Sequence, residues 1–161
     1  VSSGQIQTGV SNNMNIERGL KTTDVVVCTV LGTGGKTPKL ITRKHLKMMQ
    51  PGTVIVDVSI DQGGTCETSR PTTHFDPIYL EEGIIHYCVA NMPGAVPMTA
   101  TQALGNATLP FGLELACKGV EGAIASNTGL ARGLNIYKGH VVHREVASAV
   151  GLEFKDFDKL V

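Results

Sequence analysis

The run Val25-Val26-Val27-Cys28-Thr29-Val30-Leu31 limits the possible folds more than any other stretch of the chain. It carries no polar alternation, and an uninterrupted apolar strand is expected where a parallel sheet is covered on both faces. A second run, Thr53 to Ile60, follows it. Between the two, Thr42 is placed to cap a helix over about Arg43 to Met49, which Pro51-Gly52 would stop. Strand, helix and strand with short links make a βαβ unit, and that unit predicts a parallel sheet. A third apolar run, Ile84 to Val89, starts after Gly83. Each run ends in a loop bearing glycine or proline, beginning at Leu31, Asp61 and Asn91. If the strands are parallel, those loop starts gather at one sheet edge, which is where open α/β sheets bind their ligands.

The rest of the chain reads mainly as helix and loop. Asn15 to Thr22 has Ile16 and Leu20 four apart among charged residues, a short amphipathic helix. Gln62 to Pro77 is a long irregular stretch rich in Gly, Thr, Ser and Pro, and a loop of that length in a compact domain is usually functional. Pro97 and Thr99 can open a helix from about Met98 through Cys117, which Pro110 is expected to kink or divide. Beyond Gly119 the pattern predicts a shorter helix, a turn near Gly133, a brief strand around His140 to Val142 and a last helix over Glu145 to Val150.

The 161 residues suffice for a respectable core. Lys plus Arg and Asp plus Glu both number 14, so no charge field argues for nucleic acid. The longest apolar stretch falls far short of the roughly 20 residues of a membrane span. Cysteines at 28, 66, 88 and 117 form no CxxC and fit reduced intracellular thiols. Cys66, His74, His86 and Cys88 match no standard zinc spacing, so no metal is expected.

Gly32-Thr33-Gly34-Gly35-Lys36-Thr37 invites comparison with a triphosphate loop, but that motif needs glycine where Val30 stands. Pro38 also removes an amide at the following helix start. A turn whose backbone closely approaches a flat ligand is expected instead. GxGxxG does not occur and the first residue is Val1 rather than Met, so the chain reads as the carboxyl-terminal part of a larger enzyme, its pyrophosphate-binding half upstream. On one strand Asp57 and Asp61 would stand roughly 13 Å apart, too far to share a proton. Asp57 is expected to answer nearby donors. Asp61 lies where a ligand could reach it, either as a turn cap or as a carboxylate that steers protonation. Arg70 could hold Asp61, hold a cofactor oxygen or tie down the loop, and His74 reads as structural. Asn106-Ala107-Thr108 spells a glycosylation sequon within a predicted helix and is discounted.

Four segments together resemble alanine dehydrogenase. They are Val30-Leu31-Gly32-Thr33-Gly34-Gly35-Lys36-Thr37-Pro38-Lys39-Leu40, Asp57-Val58-Ser59-Ile60-Asp61-Gln62-Gly63-Gly64, Thr68-Ser69-Arg70-Pro71-Thr72-Thr73-His74 and His86 through Pro97. Ala103 to Pro110 and Gly133 to Gly139 continue the likeness, which covers about Asp24 to Leu152. The resemblance implies an α/β fold: the second half of a Rossmann-like parallel-sheet NAD domain over residues 1–96, then helices returning to a substrate domain over 97–161. It implies reversible, NAD-dependent oxidative deamination of L-alanine to pyruvate and ammonia by a cytoplasmic homohexamer. It also implies cofactor contacts from Val30, Leu31, Val58, Ser59, Ile60, Asp61, Val89, Ala90, Asn91 and Met92, from Arg70, and from Ser11. Asp61 would be the active-site aspartate beside the nicotinamide and substrate.

The family normally has proline where Thr33 stands and alanine near Gly35, and Gly9-Val10-Ser11-Asn12 matches poorly. The family's catalytic histidine and its substrate-binding lysine and arginine belong to an amino-terminal domain outside this sequence. Two other readings stand beside this one. The NAD-binding subunit of proton-translocating transhydrogenase shares the fold and an APKL-type loop, but usually lacks an acid at the position of Asp61 and the run Arg70 to His74. An inactive truncated remnant would follow if the 161 residues were the whole natural protein. The chain on its own is expected neither to bind NAD tightly nor to turn over alanine.

Overall fold

The structure, a computed structural model, describes residues 6–32 and 36–161. They form two units, the first ending at Met92 but without Gly32 and Lys36, which group with the second, otherwise Pro93–Val161.

The first unit is built on a four-stranded sheet. Asn12 caps α1 (Asn13–Leu20), its side chain accepting from the Asn15 amide at 2.9 Å. Strand β1 (Val25–Cys28) follows, then α2 (Arg43–Leu46) with Thr42 at its N-cap, then β2 (Val54–Asp57). β3 (Ile78–Glu81) and β4 (Ile84–Tyr87) complete the sheet in the order β1-β2-β4-β3. β1, β2 and β4 are parallel, with Val27 opposite Val56 and Val56 opposite Tyr87. The parallel βαβ reading of the sequence therefore holds. Leu20, Cys28, Ile41, Leu46, Met49, Ile55, Cys66 and Ile84 form the core on one face.

Three details differ from the sequence reading. β1 is not covered on both faces among the described residues: Val25 and Val27 are 52% and 58% exposed while Cys28 is buried. β1 is also the edge of this sheet, so its apolar run has a partner on one side only. β3 was not expected, since it falls just after the stretch read as loop. Its link to β4 is the pair Glu82-Gly83, with φ of 51° and 81°. Both central residues of such a two-residue turn need positive φ, which is usually signalled by Asn-Gly or Asp-Gly rather than Glu-Gly. Finally, the second strand stops at Asp57, and Val58–Gln62 turns into a 3-10 helix. Asp57 and Asp61 therefore do not lie four apart on one extended strand.

The second unit is mainly helical. α3 (Pro97–Ser126) carries Pro110 without a break; its non-helical residue is Gly119, at φ 69° and ψ 173°. Pro110 removes only one intrahelical bond, to the carbonyl of Asn106, and both residues are exposed, so water can take that carbonyl. Gly119 has no Cβ to resist positive φ, so the boundary expected between Cys117 and the shorter helix beyond Gly119 falls there, while Pro110 does not divide the helix. α4 (Thr128–Gly133) is capped by Asn127. A short hairpin pairs β5 (Ile136–Tyr137) with β6 (His140–Val141), and α5 (Arg144–Val150) follows. No helix among the described residues is long and apolar enough to cross a membrane.

Candidate functional site

The site is set by the parallel ladder. Because Cys28 pairs with Asp57 and Val56 with Tyr87, the chain leaves the carboxyl ends of β1, β2 and β4 side by side. Those exits are Val30-Leu31, Val58 to Asp61, and Val89 to Met92, so the three segments singled out in the sequence come together at one edge. Ser59 ties two of them directly, donating from Oγ to the Val30 carbonyl at 2.8 Å. His74 ties the long loop to the third, its Nε2 lying 2.6 Å from the Asn91 carbonyl oxygen. That is the structural role the sequence suggested for His74.

Individual placements differ. Leu31, Val58, Asp61, Arg70, Ala90 and Asn91 are exposed, and Val30 and Met92 are half-buried. Ser59, Ile60 and Val89 are buried, so a ligand would meet them through backbone atoms. Exposed Leu31 (77%) and Val58 (46%) are apolar side chains at the carboxyl edge of the parallel strands, where a flat ring could lie against them. Ser11 is exposed and shares a groove of roughly 430 Å³ with Thr29 and Val30, alongside Ile16, Val27 and Leu40. Thr33, Gly34 and Gly35 lie outside the described residues, and with them most of the close-approach turn expected after Leu31. A larger hollow of about 660 Å³ in the second unit is lined by Glu121, Ile124, Leu134 and Phe157 and contains none of these residues.

The stretch after Asp61 is stitched rather than structureless. Asp57 is fully buried, and its Oδ2 accepts from the Thr65 amide (2.8 Å), the Cys66 amide (3.1 Å) and Ser69 Oγ (2.6 Å). This is the donor-answering role expected for it. Its Oδ1 has no hydrogen-bond partner among the described residues. Gly64 passes so close that a Cβ there would meet Asp57 Oδ2 and the Ser69 Cβ, each at 2.8 Å, at a φ of +77°. Only glycine suits that position. Lys39 donates from Nζ to the carbonyls of Gly63 (2.5 Å), Gly64 (2.8 Å) and Cys66 (3.0 Å), spending all three ammonium protons on the loop that follows Asp61. The sequence reading gave Lys39 no role, although its position in the Pro38-Lys39-Leu40 run was the available signal.

Below the loop lies a buried polar chain. His86 is fully buried, and burial pushes its pKa below the ordinary histidine value. Its Nδ1 faces the Ile84 carbonyl oxygen at 3.1 Å, which can only accept, so Nδ1 carries the proton. Nε2 then accepts from Thr68 Oγ1 at 2.8 Å. Burial also pushes the Cys28 thiol up to about 12 and raises that of Cys88. Among the described residues, no three His, Cys, Asp or Glu come together in a way that could hold a metal ion.

A parallel α/β sheet with a glycine turn and an exposed carboxylate at its carboxyl edge defines the class: a Rossmann-like ligand-binding domain. Its family follows from comparison with known proteins. Residues 1–144 match the family model "Alanine dehydrogenase/PNT, C-terminal domain", and the chain belongs to that family. It is 53% identical over 152 residues to an alanine dehydrogenase of Staphylococcus haemolyticus, covering 94% of this chain and 41% of that protein. It is 50% identical over 157 residues to alanine dehydrogenase 2 of Staphylococcus aureus, covering 97% of this chain and 42% of that protein. The chain thus spans about two fifths of the length of these relatives. Among solved structures, an L-alanine dehydrogenase superposes with a TM-score of 0.71 at 43% identity, covering 88% of this chain and 39% of that one. A transhydrogenase from Sinorhizobium meliloti superposes with a TM-score of 0.60 at 21% identity, covering 83% of this chain and 36% of that one, a likeness of fold alone.

Proposed function

We propose that this chain supplies the nicotinamide-facing edge and a carboxyl-terminal helical part of an NAD-dependent alanine dehydrogenase, which converts L-alanine reversibly to pyruvate and ammonia. The observation that carries the reading is the meeting of the Val30, Asp61 and Asn91 segments at one parallel edge, in a chain 50–53% identical to proteins named alanine dehydrogenase. The exposed acid at Asp61 and the intact run Arg70 to His74 favour this branch over the transhydrogenase one.

The residues present fit a dinucleotide. The Arg70 guanidinium lies over the Tyr79 ring with no carboxylate in ion-pair reach among the described residues, leaving its N–H groups for a cofactor oxygen. Leu31 and Val58 offer apolar contact, and the backbone at Ser59, Ile60 and Val89 can approach closely. With Val30, Asp61, Ala90, Asn91, Met92 and Ser11, these form the cofactor-binding set. NAD, when bound, accepts a hydride from the substrate carbon. Asp61, at the start of its glycine turn, is the catalytic residue of this chain: its carboxylate oxygen takes or returns a proton beside that carbon, while Lys39 holds the turn in place.

In this reading residues 1–96 complete the NAD domain and residues 97–161 return to the substrate domain. An amino-terminal part of the same enzyme joins at the open edge of β1 and brings the pyrophosphate loop and the remaining catalytic groups. The exposed apolar side chains of α3, such as Leu104, Leu109 and Leu113, suit cover by that part or by other subunits of a cytoplasmic homohexamer.

The test is alanine-dependent NADH formation by the protein expressed from its gene, with whatever segment the gene encodes before Val1. Asp61→Asn should lower kcat by about a hundredfold or more, the scale of a lost general acid–base group. The 161-residue chain alone should be inactive. Normal NAD binding without alanine turnover in the wild type would move the protein to another branch of the fold and return Asp61 to a turn cap.

A further inference from the structure

Arg70 is held at both ends by one residue of the strand that the sequence did not reveal. Its backbone N–H donates to the Tyr79 hydroxyl oxygen at 2.9 Å, and its guanidinium carbon sits 4.0 Å from the Tyr79 ring centroid. The phenol proton goes on to the Thr68 carbonyl at 2.8 Å, which fixes the hydroxyl as an acceptor toward Arg70. The opposite face of the assembly is equally fixed. Tyr79 pairs with His86 across the β3–β4 ladder, and their rings stack with centroids 4.9 Å apart and planes 19° apart. His86 is itself locked, one ring nitrogen on Ile84 and the other on Thr68.

We infer that Tyr79 is a positioning residue for the cofactor-binding arginine, a platform that holds Arg70 open toward an anionic oxygen of the dinucleotide. The inference rests on the reading of Arg70 as a cofactor contact. A flexible arginine loses side-chain entropy on binding, and a guanidinium already laid on an aromatic face has lost part of it beforehand. The platform suits this task because it attracts the cation without neutralising it. A carboxylate in the same place would occupy the N–H groups that the cofactor needs.

The experiment is a double-mutant cycle on the enzyme expressed from its gene, read as KM for NAD, KM for alanine and kcat. Tyr79→Phe keeps the ring and removes the acceptor, and should raise KM for NAD about threefold. Tyr79→Leu removes the platform as well and should raise it about tenfold. Neither should change kcat or KM for alanine by more than about twofold. Arg70→Ala should also raise KM for NAD about tenfold, the scale of one charge-assisted contact. In the Arg70→Ala background, Tyr79→Phe should then add almost nothing, because its effect is carried by Arg70. An equal effect of Tyr79→Phe with and without Arg70, or a shift in all three constants together, would overturn the inference and leave Tyr79 a packing residue. If Arg70→Ala leaves KM for NAD unchanged, the assignment of Arg70 to the cofactor fails first, and the role of Tyr79 falls with it. Tyr79→Phe retains the stack on His86, so the cycle stands even if the leucine variant does not fold.

Discussion

The two units differ in the core they bury, although both leave apolar side chains exposed, Val25, Val27, Leu31, Phe75 and Leu80 among them in the first. The first buries Leu20, Ile41, Leu46, Ile55, Ile60, Ile84 and Val89 and then spends buried polar groups to fix the loops above them. The second buries Ala123, Val141 and Ala147 but leaves Met98, Leu104, Leu109, Leu113, Val120 and Ile136 exposed. Burial of apolar area is the main term favouring a fold, at about 25 cal/mol per Å². The first unit therefore carries its own stabilising core, whereas the long helix of the second gains little from its leucines within this chain.

That contrast can be broken at several points. The largest effect is expected at Asp57→Ala. Removing the carboxylate strands the buried amides of Thr65 and Cys66, along with Ser69 Oγ, at a cost of about 3–5 kcal/mol. Denaturant unfolding should show it, with hydrogen exchange rising first between residues 58 and 69. A change below 1 kcal/mol would mean that this loop is not pinned by the buried acid.

Lys39→Met comes next. Its three carbonyl bonds are partly solvent-exposed, so the stability loss should be only about 1–2 kcal/mol. Turnover of alanine should fall more than this modest loss suggests, because the Asp61 turn loosens. Unchanged kcat would show that the turn holds itself.

A smaller, pH-dependent effect belongs to His86. Its pKa is lowered in the fold, so below pH 6.5 the unfolded chain binds the proton more readily. Stability from this group is complete above that value and declines as pH falls toward the lowered native pKa, by at most about 1.4 kcal/mol per pH unit. Urea midpoints at pH 7.5 and 5.5 should fall further apart in the wild type than in His86→Gln. Equal losses in both would assign the pH sensitivity elsewhere.

The smallest effect is expected in the second unit. Leu109→Ala in the 161-residue chain should cost less than about 0.5 kcal/mol, as an exposed position does. A cost several times larger in the gene-encoded protein would show that this leucine is covered there, and would sharpen the difference between the units.

Periodicity and punctuation already determined much of this protein. The apolar runs beginning at Val25, Thr53 and Ile84, with a capped helix between the first two, required parallel strands whose exits meet. Local steric and burial rules allow few other arrangements of such runs, and the family motifs lie on the same exits. The role of Asp57 was also legible, because an acid within an apolar strand must find donors. What the sequence left undecided depended on partners distant along the chain. β3 exists because Ile78–Glu81 finds β4 across a Glu82-Gly83 turn whose chemistry signals weakly. The second strand yields to a 3-10 helix at Val58, and the long helix passes Pro110 undivided, to break only at Gly119, where the sequence already marked a boundary. Lys39 reaches carbonyls 24 to 27 residues away, and Tyr79 gathers Arg70, Thr68 and His86 around one ring. Local pattern sets which segments become strands and helices. Contacts between side chains far apart in sequence form only once the chain has closed on itself, so only the tertiary structure could decide which groups hold the site.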